Sequence, residues 1–98
     1  MKTITIKGNF TGSVNRYARL DVYRPNPSAY DLSKSYDDDF IETIKDLQDG
    51  TSYFIDLTGF TFGDFDLEIT GQFKAPNPIQ DHFHKADFKP GYSIVTNP

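Results

Sequence analysis

"IKDLQDGTSYFIDL", Ile44 to Leu57, sets a leucine, a glycine three residues on and a tyrosine three further. It then runs into an alternating stretch with Tyr53, Ile55 and Leu57 on one side. Alternation of period two describes a strand half buried against a core. The residues just before read two ways, because Phe40, Ile41, Ile44 and Leu47 also fit a helical stripe and the preceding aspartates would suit a helix N-terminus. The continuation decides for a strand. A connection that leaves one ladder for another orphans a backbone group, Gly50 can supply the unusual angles of such a corner, and Tyr53 can both pack its ring and satisfy the orphan.

The spacing of Leu47, Gly50 and Tyr53 resembles the tyrosine corner of Greek-key β-sandwiches such as immunoglobulin-like and fibronectin type III domains. The resemblance implies an all-β, two-sheet Greek-key sandwich of about seven to eight strands, with the tyrosine hydroxyl bonded back to nearby backbone. It covers Phe40 to Thr58, roughly a fifth of the chain, and implies no particular function, since such sandwiches host adhesion, scaffold, receptor and accessory modules alike. About 25 residues follow "FDLEITGQF", where a fibronectin-like domain would be ending, so a prealbumin-like sandwich with an extra strand is equally expected.

Other strands follow from the same periodicity. Ile4, Ile6 and Phe10 share one face of the first segment, and Ala18, Leu20 and Val22 one face of "YARLDVY". "RPNPSAYDLSKSYDDD" is expected to be a long loop, because Pro25 and Pro27 cannot donate to a central ladder. "DFDLEITGQF" is the clearest strand, with Phe65, Leu67 and Ile69 against Asp64, Asp66 and Glu68. "LTGFTFGDF" is expected at or beside the hairpin that joins this strand to the one before it, and "GYSIVTNP" supplies a short last strand.

The 98 residues make one domain, residues 1–98, with one core. With no cysteine, there is no disulfide framework, thiolate nucleophile or cysteine-ligated metal. No apolar run suits a signal peptide or membrane span, so the chain is expected to be soluble and cytoplasmic. The net charge of −4 opposes direct nucleic-acid binding, which needs a basic face. That average hides an asymmetry. Asp37 to Glu68 holds ten acids against Lys45 alone, a balance of −9, and the remainder holds four acids and nine bases, a balance of +5.

Candidate sites are few. His82 and His84 in "DHFHKAD" would project from one strand face, a spacing that suits a metal ion if another strand adds a third ligand. Without one, the segment reads as a polar edge anchored by Phe83 and Phe88. The three aspartates of "YDDDF" lack the spacing of a calcium loop. There is no nucleophile elbow and no Gly-rich phosphate loop, so no enzyme activity and no cofactor are expected. Phe60 and Phe62 between two glycines either close one end of the core or form an exposed aromatic tip ringed by Asp56, Asp64 and Asp66.

The expected function is a non-catalytic protein-binding or assembly module with an acidic surface, whose partner is another protein or further copies of the chain. Two alternatives stand beside it. One is an inhibitor or nucleic-acid mimic using the acidic stretch of residues 37–68. The other is a carbohydrate- or metal-dependent module using Tyr23, Tyr30, Tyr36 or the histidines.

Overall fold

A computed structural model describes residues 1–25 and 29–98. Seven strands run through them: β1 (Lys2–Thr11), β2 (Arg16–Tyr23), β3 (Leu32–Tyr36), β4 (Phe40–Leu47), β5 (Ser52–Gly71), β6 (Ile79–Phe88) and β7 (Gly91–Val95). β5 is the axis, paired antiparallel on both edges. β2 lies beside Phe54–Thr61 and β1 beside Asp64–Gly71 on one edge, while β7 and β6 take the other. β3 extends β2 and β4 extends β1, so the strand order is β3-β2-β5-β1-β4 with β6 and β7 on the far side of β5.

The fold is thus all-β, but the hydrogen bonding makes one continuous sheet where two were expected. Length explains the difference. Twenty extended residues would span about 66 Å, whereas the molecule is 40 Å in its longest dimension. β5 must curl. Thr51, before it, accepts from the N–H of Thr96 (3.0 Å), and Gln72, after it, accepts from the N–H of Asn97 (3.1 Å), so its two ends meet at adjacent residues. One curled sheet then faces itself and encloses the core that two sheets would have enclosed.

The curl passes through the segment expected to hold a hairpin. Residues 58–63 do not turn back; they continue the strand. The glycines there serve close approach instead of a turn: a Cβ on Gly59 would run into the Tyr17 carbonyl, and one on Gly63 into the Thr11 carbonyl. The ladder to β6 slips here too, between Thr61 and Asp64, opposite Lys85 at φ 46°. The expected loop at Arg24–Asp39 is also partly strand. β3 forms a short edge whose Ser33, Lys34 and Ser35 are all exposed, as an edge tolerates. Asn26, Pro27 and Ser28 lie outside the described residues.

Odd-numbered residues of β5 point inward: Tyr53, Ile55, Leu57, Phe65, Leu67 and Ile69 are all buried, with Ile4, Ile6, Leu20 and Val22 facing them. Phe65 is the centre of an aromatic stack, its ring 4.5 Å from Phe10 and 5.1 Å from Phe88. Phe40–Leu47 is a strand and the corner forms: Gly50 adopts φ 57°, and the Tyr53 hydroxyl accepts the Gln48 N–H at 2.8 Å. Among the described residues no helix is long and apolar enough to cross a membrane.

Two substitutions test this account by chemical denaturation. Tyr53→Phe should leave the fold intact and cost about 1 kcal/mol, the usual net value of one hydrogen bond. Phe65→Ala should cost about 3–5 kcal/mol, as loss of a large ring from a packed core does.

Candidate functional site

Since β5 buries its odd positions, its even positions form the outer face. Asp56, Phe60, Phe62, Asp64 and Asp66, the five binding candidates read from the sequence, all lie on it. They are not one cluster. Asp56 sits in the first half of the strand, where it accepts from the Tyr23 hydroxyl (2.8 Å), an interaction that pushes the Tyr23 phenol above its ordinary value. Phe62 is 62% exposed while Phe60 is half buried, its ring 6.3 Å from Tyr17 and 6.0 Å from Phe62.

The second half of β5 carries Asp64, Asp66 and Glu68, and here the register matters. β6 presents His84 beside Asp64, His82 beside Asp66 and Gln80 beside Glu68. His84 Nδ1 lies 2.7 Å from Asp64 Oδ1, and His82 Nδ1 lies 2.6 Å from Asp66 Oδ1. His82 Nε2 reaches Asp64 Oδ1 at 3.3 Å, and Gln80 Nε2 donates to Glu68 at 2.8 Å. The result is a ladder of three rungs on the open face of a strand pair. A shallow groove of about 780 Å³ runs alongside, lined by Lys7 and Asn9 of β1 and by Asp66, Glu68, Gln80 and His82.

β6 therefore supplies the polar edge expected of "DHFHKAD", with Phe83 and Phe88 turned inward onto Phe65. Asp64 lies within reach of both imidazoles, but as a hydrogen-bond partner. Among the described residues no group of three or more His, Asp or Glu side chains is disposed to hold a metal ion. Tyr23 and Tyr30 meet edge to face at 5.3 Å, whereas Tyr36 stacks on Phe40 at 3.9 Å, paired with the inward Ala18. The three tyrosines do not form one platform.

Folding also rearranges the charge. Asp38 is bridged by Arg16 (2.8 Å), Glu42 by Lys34 (3.0 Å), and Asp49 by the N-terminal amine (3.0 Å) and Lys2 (3.3 Å). Asp39 accepts the Phe10 N–H at 2.6 Å. All of these partners come from outside the acidic stretch, so the −9 segment is neutralised in part by the +5 remainder. The acids of the second half of β5 differ, since among the described residues they pair with histidine and glutamine.

The cross-strand pairing is what reading the sequence missed. Its signal was present as two rows of period two, Asp64-Asp66-Glu68 and Gln80-His82-His84, that become rungs once the strands are antiparallel neighbours. Comparison with protein-family models, with curated proteins and with solved structures finds no match to the chain.

The ladder carries a pH signature. The hydrogen bond that the His82 imidazole donates to Asp66 holds it above 6.5, so its stabilising contribution is full below 6.5 and disappears as pH rises through the raised value. The hydrogen bond from His84 holds Asp64 below 3.8, so that contribution is full above 3.8 and disappears as pH falls through the lowered value. Both operate between 3.8 and 6.5. His82→Asn should accordingly lower the thermal midpoint more at about pH 5 than at about pH 8, measured by circular dichroism at both.

Proposed function

We propose that the chain is a non-catalytic binding module that docks a protein partner on the outer face of β5. The observation that carries this reading is the coincidence, on one face of the best-braced strand, of an exposed Phe62 and an acidic row, Asp64, Asp66 and Glu68, whose direct partners among the described residues are histidine and glutamine, with Lys7 beside Glu68 the one base next to the row in the ladder. An aromatic anchor beside a charged rim is the composition of a specific protein contact. The partner is expected to offer an apolar seat and a basic border.

A strand hydrogen-bonded on both edges suits this role because its backbone is already ordered before binding. A non-catalytic role fits the histidines as well: their side chains are 55% and 61% exposed, open to water, with no serine, threonine, cysteine or lysine on the rungs. The Tyr53 corner supports a kinship with immunoglobulin-like or prealbumin-like sandwiches, a fold that hosts adhesion, scaffold, receptor and accessory modules alike. A nucleic-acid mimic is the weaker reading, because Asp38, Glu42 and Asp49 are bridged to bases, which interrupts the acidic stretch.

Photo-cross-linking in the native host tests the surface. A benzophenone side chain at Phe62 or at Glu68 should give a discrete protein adduct that weakens as salt is raised, and the same group at Lys74 should give none. No adduct from either outer-face position, or equal labelling from Lys74, would overturn the proposal.

A further inference from the structure

Phe62 is a knob that a notch adjoins. Its ring is 62% exposed, and its backbone N–H is donated to the Asn15 carbonyl (3.1 Å), so the connection between β1 and β2 braces it as well as the strand does. Beside it lies a notch of about 400 Å³ lined by Thr61, Phe62, Lys85, Ala86 and Asp87. The notch lies where the β5–β6 ladder slips opposite Lys85.

Knob and notch thus occupy the same patch. That is the condition for an isologous contact, in which one surface of two copies meets itself about a two-fold axis. The charges satisfy the same condition. The notch has one base and one acid, so a two-fold axis near Ala86 sets Lys85 of each copy against Asp87 of the other. The acidic row runs away from the notch along β5, and its nearest member, Asp64, is held by His84.

We propose that the occupant of this end of the β5 face is a second copy of the chain, with Phe62 of each copy seated in the other's notch between Lys85 and Asp87. The inference rests on the reading of β5 as a docking face and names the occupant of its Phe62 end.

Sedimentation equilibrium across a concentration series tests it on the full chain. The wild-type mass should rise from 11.2 kDa toward twice that value, and Phe62→Asp should remain at 11.2 kDa. Lys85→Asp and Asp87→Lys should each weaken association about tenfold, because each sets like charges together twice across the axis. In an equimolar mixture the Lys85→Asp copy carries an acid at both positions and the Asp87→Lys copy a base at both. Opposite charges then meet again, and the mixture should recover the dimer. Circular dichroism checks that every variant is folded, and the mixture settles the question even where Phe62→Asp is not. A wild type at 11.2 kDa at every concentration, or a mixture no more dimeric than its components, overturns the inference. If a heterologous adduct still forms from Phe62 in the host while the wild type is monomeric, the docking face stands and its self-association falls. If no adduct of any mass forms from Phe62 or Glu68, the docking face falls with it.

Discussion

One strand too long for its own protein governs the structure. β5 has twenty residues in a molecule 40 Å long, is hydrogen-bonded along both edges, and must therefore bend with its neighbours attached. Gly59 and Gly63, the inward positions on either side of buried Thr61, let the strand pass close against the carbonyls of Tyr17 and Thr11. Curling gathers the inward rows of both halves into one core, and it brings the two ends of β5 to Thr96 and Asn97. A small chain without disulfides thereby encloses a core with a single sheet, braced at its corner by the Tyr53 hydroxyl and by Asp49 on the N-terminus.

The same constraint organises the surface. Alternation is unbroken through the bend, so everything that is not core on β5 stands on one outer face, from Asp56 to Glu68. Elsewhere, bases from the rest of the chain meet acids of the central stretch, as Arg16 meets Asp38 and Lys2 meets Asp49. The second half of β5 runs between β1 and β6, and β6 brings histidines. The charge balance of that row consequently responds to pH through His82, while Asp49 at the corner is bridged by lysine and the N-terminal amine. The difference is one of neighbours and not of residue type.

Much of this was legible locally. The inward residues of β1, β2 and β5 follow from alternation, and the strand at Phe40–Leu47 followed from the corner after it, where Tyr53 proved to satisfy Gln48. The hairpin at "LTGFTFGDF" was misread because two glycines around aromatics look the same whether they serve a turn or a close approach of backbone. β3 was passed over because an exposed edge strand of serine and lysine has no apolar alternation to announce it.

The sequence by itself therefore determined which residues face inward, that the chain is all-β, and where the corner lies, because each depends on neighbours within a few positions along the chain. Only the tertiary structure decided that one sheet would do the work of two and that Asp64 and Asp66 would stand beside His84 and His82. It alone placed Phe62 next to a notch made by Lys85, Ala86 and Asp87. These depend on register between strands, and register is set by how the whole sheet closes on its core, a condition that no single segment contains.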